Sequence, residues 1–381
     1  MLLILLAINL IGWAILFTDI ALGLRKIDSL EKAEPDHDGP LISIIVPARN
    51  EAHTIRKSIE SQLKSTYKRL QWVIVNDRST DETGAEIERI ASMDKRIKTL
   101  HLTQLPKGWL GKNHALYQGY LHSEGELLLF TDADVHYDPD AISKAVRVLQ
   151  TENADHLTAA PSLTAKGFWL QSFIAFFLFG FSYFKRPWKA NDERSSIGMG
   201  IGAFNLMTRP AYETIGTHKS LKNRPDDDLQ LGFKVKEYKL NQRMVTAISL
   251  LRVEWYPTLK AAFQGLEKNT FAGLYYRYSM VLLAISGVFF SQVFPFLTLL
   301  SSDTTVRLMS LAVILLILGS YTSVIKKMTD FHPALFLALP VTALIFIFSI
   351  IRAVVLTFIR GGVIWRGTKY SLEELRSIEK D

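Results

Sequence analysis

Asp132-Ala133-Asp134 closes an apolar run that ends at Phe130. Two carboxylates at the end of a buried strand aim at one small volume, which is how a hard divalent cation is held against phosphate oxygens. The triplet alone says little, because Asp-x-Asp also occurs at Asp36/Asp38, Asp138/Asp140 and Asp226/Asp228, and an Asx turn capping the helix after Pro139 is the alternative. A second acidic group, Asp226-Asp227-Asp228, places three like charges side by side. Their mutual repulsion raises at least one pKa, a property that suits a general base, although an acidic helix N-terminus would look the same. His114, His122 and His136 show no metal-ligand spacing and read as structural.

The elements that position these acids follow from the spacing of apolar residues. Residues 41–46, 71–75, 97–102 and 126–130 predict strands, and 51–63, 81–92 and 112–122 predict helices. Short continuous apolar strands between helices are covered on both faces, so the fold class is α/β with a mostly parallel sheet. Ligands of such sheets bind beyond the carboxyl ends of the strands. Those ends carry Pro47-Ala48-Arg49-Asn50-Glu51, Asn76-Asp77-Arg78-Ser79 and Thr131-Asp132-Ala133-Asp134, so polar groups converge on one edge, as a nucleotide site requires.

The composition points to a bilayer as well as to a soluble domain. Of 381 residues, 48% are hydrophobic and 21% charged, and the mean hydropathy is +0.14, too apolar for an ordinary soluble chain and too charged for a bundle of spans. Residues 2–24 are apolar apart from Asn9, Thr18 and Asp19, long enough to cross, and lack the basic start and small-residue cleavage site of a secretory signal. The chain therefore reads as an anchor over 1–24, a polar linker over 25–40, a soluble domain over 41–254, an amphipathic interfacial segment over 255–278, three spans within 279–359 and a basic tail over 360–381. The spans are 279–300, 306–325 and 331–359. The aromatic run 168–184, ending in Lys185 and Arg186, predicts a helix lying in the interface. Arg25 and Lys26 behind the anchor favour a cytoplasmic soluble domain in a multi-pass protein of the cell membrane. Three spans after that domain would put the tail outside, whereas Arg360, Arg366 and Lys369 favour inside. Zero cysteines exclude disulfides and thiolate metal sites. The net charge of +7 comes from basic residues spread along the chain and gathered near apolar segments. That suits anionic headgroups and a phosphorylated substrate, and no basic recognition helix supports nucleic acid.

Four motifs in order then resemble family 2 glycosyltransferases with the GT-A fold: Ile44-Ile45-Val46-Pro47-Ala48-Arg49-Asn50-Glu51, Val73-Ile74-Val75-Asn76-Asp77-Arg78-Ser79, Thr131-Asp132-Ala133-Asp134 and Pro225-Asp226-Asp227-Asp228-Leu229. Lys107-Gly108-Trp109-Leu110-Gly111-Lys112 and Gly265-Leu266-Glu267-Lys268-Asn269 further resemble the membrane-bound branch associated with hopanoid and carotenoid glycosylation. The resemblance implies a nucleotide-diphosphate sugar donor and Mg²⁺ or Mn²⁺. Donor contacts would fall on Pro47, Arg49, Glu51, Asp77, Lys112 and Asp132, with Asp132 and Asp134 at the metal. Read physically, Asp77 can accept hydrogen bonds from base or ribose, or cap the helix near Asp81. Glu51 also suits the dipole of the helix it opens. Lys112 follows a glycine at a helix start, where a cation meets a diphosphate, and an exposed lysine is equally at home there.

The chain departs from the family pattern at Asn76, where an acid is usual, at Tyr117, where Asn is frequent, and at Pro225, where Glu is common. The family base stands three residues before the leucine, at Asp226, with Asp227 as the second choice. Polymer synthases carry Gln-x-x-Arg-Trp, and Gln264-Gly265-Leu266-Glu267-Lys268 lacks the Arg-Trp pair. The expected reaction is therefore one inverting transfer to the hydroxyl or carboxylate of a membrane lipid, isoprenoid or other. A polysaccharide or short-glycan synthase and a non-catalytic membrane scaffold are the alternatives.

Overall fold

A computed structural model describes residues 1–272, 274, 277–365 and 368–371. The tail residues Arg366 and 372–381, and the side chains of Lys268 and Lys369, lie outside the described residues. The chain divides into two compact units. A sheet unit comprises Arg25–Thr164 and Pro187–Glu254, and an apolar unit comprises Met1–Leu24, Ala165–Arg186 and the chain from Trp255 onward.

The strands of the sheet unit are β1 (Asp28–Ser29), β2 (Ile42–Ala48), β3 (Leu70–Asp77), β4 (Ile97–Leu102), β5 (Leu127–Phe130), β6 (His136–Tyr137), β7 (His156–Thr164), β8 (Asn205–Thr208) and β9 (Gln242–Glu254). The helices, in chain order, are α1 (Leu2–Gly23), α2 (Ile55–Gln62), α3 (Thr83–Ala91), α4 (Gly111–Leu121), α5 (Ala141–Thr151), α6 (Phe168–Lys185), α7 (Arg209–Thr214), α8 (Asp227–Glu237), α9 (Leu259–Ala272), α10 (Tyr278–Gln292), α11 (Phe294–Thr298), α12 (Thr304–Met328) and α13 (Leu339–Arg360).

The strands form one mostly parallel mixed sheet in the order β1-β9-β7-β8-β5-β2-β3-β4, with β6 added on β9. Alternation along the central strands supplies both cores. Ile44, Val46, Trp72, Ile74 and Leu129 face one apolar layer, and Ile45, Val73, Val75, Leu128 and Phe130 the other, as the two-residue period of a strand requires. The predicted strands over 41–46, 71–75, 97–102 and 126–130 are β2 to β5, and the predicted helices are α2, α3 and α4. Strand β8 runs antiparallel to both β5 and β7. Its N-terminal end, and the loop that precedes it, therefore lie at the edge where β5 ends.

In the apolar unit, five helical stretches have the length and composition to cross a membrane: Leu2–Lys26, Phe168–Lys185, Tyr278–Thr298, Thr304–Met328 and Pro333–Arg360. The second is the run expected to lie in the interface. The expected span over 279–300 divides into α10 and α11 around Val293. Pro295 lacks the N–H that would bond the carbonyl of Ser291, and that carbonyl accepts instead from Trp13 Nε1 at 3.1 Å. Asn9 Nδ2 donates to the carbonyl of Phe290 at 2.6 Å. Two of the few polar atoms of α1 thus satisfy backbone groups exposed by the break, which an apolar surround would otherwise leave stranded. Trp13 also stacks on Phe179 of α6 at 5.8 Å, and Arg186 at the end of α6 makes a two-point ion pair with Asp19.

Candidate active site

The loops after β2 and β3 are stitched to each other. Asn50 adopts a left-handed backbone, and so does Arg78. Asn50 N–H donates to Ser79 Oγ at 3.0 Å, and its Oδ1 accepts from Thr80 N–H at 2.8 Å. Ser79 is therefore a bridge between loops, and Asp81 accepts from Thr83 at the start of α3. Asp77, buried at the end of β3, receives a two-point contact from Arg78 at 2.7 and 3.0 Å, with Arg49 at 3.9 Å. Pro47 lies in β2 beside Val75. Asn76, the departure from the family pattern, bonds His101 and Ser79 N–H.

Across the sheet, a cavity is lined by Lys112, Thr131, Asp132, Gly202, Asn205, His218, Asp227 and Asp228, with apolar walls from Leu116, Phe130 and Leu231. Lys112, from the first turn of α4, sets its Nζ 2.8 Å from Asp132 Oδ1 and 3.6 Å from Asp227 Oδ2. Burial works against its charge, but Asp132, Asp227 and Asp228 outweigh that and hold its pKa above the ordinary lysine value. Asn113, one residue on, donates to the carbonyls of Leu221 and Arg224, tying α4 to the loop that leads into the acidic triplet.

Asp228 accepts from the N–H groups of Gly202 and Leu229, both at 2.8 Å, and burial raises its pKa. Asp226 is turned toward Arg224 and Gln230 and is not among the cavity residues. Asp134, two residues beyond Asp132, is not among the cavity residues. Burial, followed by the charges of Asp132 and Glu51, pushes its carboxyl up to about 7, so Glu51, Asp132 and Asp134 form one electrostatic group.

The loop over 198–204 was not marked by sequence reasoning. Gly202 gives its carbonyl to Asp132 N–H at 3.0 Å and its N–H to Asp228. A Cβ there would meet Asp132 Oδ2 at 2.5 Å, and one at Gly200 would strike the Asp228 carbonyl. The available signal was Gly198-Met199-Gly200-Ile201-Gly202, a spacing that marks close backbone approach. Tyr117, a second departure, stacks on Trp109 and is absent from the cavity lining.

The family model for "Glycosyl transferase family 2" matches residues 43–216, a stretch that contains Asp77, Lys112, Asp132, Asp134 and Gly202. The chain carries a family 2 glycosyltransferase domain. A glycosyltransferase of Haemophilus influenzae with no assigned reaction is 38% identical over 123 residues, which is 32% of this chain and 36% of that one. The likeness to a 4,4'-diaponeurosporenoate glycosyltransferase of Staphylococcus aureus is lower, 24%, but runs over 87% of this chain and 89% of that one. A solved mannosyltransferase from Pyrobaculum calidifontis, in complex with GDP-Man and Mn²⁺, superposes with a TM-score of 0.50 over 93% of this chain and 99% of its own, at 16% identity. The glycosyltransferase domain therefore has the GT-A fold, and the chain is a glycosyltransferase.

Proposed function

We propose that the enzyme moves a sugar from a nucleotide-diphosphate sugar to a hydroxyl or carboxylate of a membrane lipid, with inversion and with a divalent cation. The observation that carries this reading is the excess of carboxylate around Lys112. Asp132, Asp227 and Asp228 line one cavity, with Asp134 two residues beyond Asp132, a charge balance that a cation and a diphosphate would complete. Mg²⁺ or Mn²⁺ fits this donor set. Among the described residues no three His, Cys, Asp or Glu side chains group to hold a metal, so Asp132 and Asp134 would share the ion with donor phosphates and water, a ligand set ordinary for magnesium. Bound there, the cation supplies positive charge to the departing diphosphate. The acceptor for which the Staphylococcus aureus relative is named and the Mn²⁺ in the Pyrobaculum calidifontis structure favour the lipid acceptor and the metal.

The chain's own residues then divide the work. Lys112 meets the diphosphate, and Arg49, Glu51, Asp77 and the backbone near Pro47 frame the nucleotide. The acceptor oxygen attacks the anomeric carbon as the bond to the diphosphate breaks, and an acceptor hydroxyl gives its proton to a carboxylate. Asp227 lines the cavity, whereas Asp226 lies outside its lining and is turned toward Arg224 and Gln230, which ranks Asp227 ahead of Asp226 as base.

The anchor and the three C-terminal stretches would span the bilayer, with Arg25 and Lys26 holding the sheet unit on the cytoplasmic side. The chain leaves that unit at Thr164 and re-enters it at Pro187. A single crossing by α6 would put two ends of one compact body on opposite faces of the bilayer, so α6 is assigned to the interface.

The test is incubation of the purified full chain with a panel of nucleotide sugars and lipid extract, with and without Mn²⁺ or Mg²⁺, read by mass spectrometry of the lipids. One glycosylated lipid that requires the metal is expected. Transfer unaffected by chelation would remove the cation from the mechanism, and products of increasing glycan length would favour the synthase.

A further inference from the structure

One wall of the cavity is a histidine that the reading above leaves without a role. His218 is 1% exposed and lines the same space as Lys112, Asp132 and Asp227. Its Nδ1 lies 2.6 Å from the hydroxyl of Tyr212, and that oxygen also accepts the backbone N–H of His218 at 3.0 Å. A phenol has one proton. With the backbone N–H already bound to its oxygen, and with no other acceptor for it among the described residues, that proton points at Nδ1. The imidazole therefore carries its own proton on Nε2, the nitrogen with no protein hydrogen bond among the described residues. Phe130 meets the ring edge-on at 5.0 Å, so the ring is packed on one side and pinned at Nδ1 on another.

We propose that His218 is a fixed hydrogen-bond donor to the nucleotide sugar, its Nε2–H presented to a phosphate or sugar oxygen of that ligand by Tyr212. This rests on the donor chemistry proposed above and assigns that site one further contact and one positioning residue. Burial, helped by the charge of Lys112, holds the His218 pKa at about 3, so the ring stays neutral at working pH and neither delivers nor removes a proton in the reaction. A neutral donor is what this cavity can accommodate. It adds a contact without altering the charge balance that a cation and a diphosphate would complete, whereas another acid would repel the diphosphate. An N–H held in a protein wall costs little reorganisation when the ligand arrives, and leaving it unmatched in a closed site weakens binding.

Two substitutions separate this role from simple support of the fold. His218→Gln places an N–H near the position of Nε2, whereas His218→Asn matches Nδ1 and keeps a partner for Tyr212. Calorimetry on the full chain in detergent, with Mn²⁺ and each of UDP-glucose, UDP-N-acetylglucosamine and GDP-mannose, should show His218→Gln retaining most of the affinity. His218→Asn should lose roughly tenfold or more. Equal losses, or Asn above Gln, would overturn the proposal. In ¹⁵N-histidine-labelled protein, long-range ¹H–¹⁵N correlations should report the Nε2–H tautomer for His218, and Tyr212→Phe should relax that preference. A resting Nδ1–H tautomer would overturn it as well. If the wild type bound none of the three sugars in the presence of Mn²⁺, the donor chemistry itself would fail, and this contact with it. Wild-type binding that His218→Asn leaves intact would remove the contact alone.

Discussion

At the end of β3, Asp77 is met by the guanidinium groups of Arg78 and Arg49. At the end of β5, Asp132, Asp227 and Asp228 gather around the ammonium of Lys112, and Asp134 adds its charge. The same residue type at the same sheet edge is thus placed in two electrostatic settings. Asp77 is buried with its charge already answered, so that corner is assembled before any ligand arrives. The β5 corner is buried with negative charge in surplus, and the surplus is what a cation and a phosphate would use. A carboxylate at a strand end becomes a framework element or a ligand site according to what its neighbours bring.

The largest expected effect comes from the acids of the second corner. Asp227→Asn should lower transfer by roughly 10² or more, the usual contribution of a general base, and Asp226→Asn should change it far less. The reverse ranking in a radiolabelled-sugar transfer assay would return the base to Asp226. Next comes Lys112→Met, which deepens the surplus by taking away its ammonium. Nucleotide-sugar affinity should fall about tenfold or more, and stability to urea by roughly 1–3 kcal/mol. Unchanged values would mean that the acids are balanced some other way.

Asp77→Asn reverses the logic of the first corner by leaving two guanidinium groups short of their anion. Stability to urea should drop by roughly 1–3 kcal/mol, and an unchanged midpoint would mean that the corner does not depend on this carboxylate's charge. The smallest effect is the most diagnostic. Asp134 has a folded pKa raised from 3.8 to about 7, so its contribution to stability is full below pH 4 and is lost as pH rises through 7. Without divalent cation, Asp134→Asn should therefore be more stable than wild type at pH 8, by on the order of 1 kcal/mol, and equal to it near pH 4. Added Mn²⁺ with nucleotide sugar should reverse that order at pH 8. A variant less stable than wild type throughout would show that Asp134 is not held against its neighbours' charge.

The first half of the sheet was legible because β2, β3 and β5 are buried on both faces and read as unbroken apolar runs between helices. The second half was not. Strand β8 is the four residues Asn205–Thr208, too short and mixed to show a period. Its antiparallel direction brings the loop over 198–204 to the site, and no local pattern announces direction. That Asp132 and Asp134 follow the end of a strand could be read because the apolar run stops at Phe130. The choice within Asp226-Asp227-Asp228 could not, because it depends on how α8 starts and on Arg224 and Gln230 reaching back to Asp226. His218 had no sequence signal, since its role follows from the hydroxyl of Tyr212, six residues away, bonding its Nδ1.

The break at Pro295 bears on how the protein is made. The carbonyls of Phe290 and Ser291 find their donors on α1, a segment that leaves the ribosome nearly three hundred residues before its partners. Until α10 has been made, the amide and indole N–H groups of α1 lack these partners, and the carbonyls at the break are answered only once the two helices meet. Replacing α1 with an unrelated apolar helix would remove both donors and leave the break between α10 and α11 unanswered.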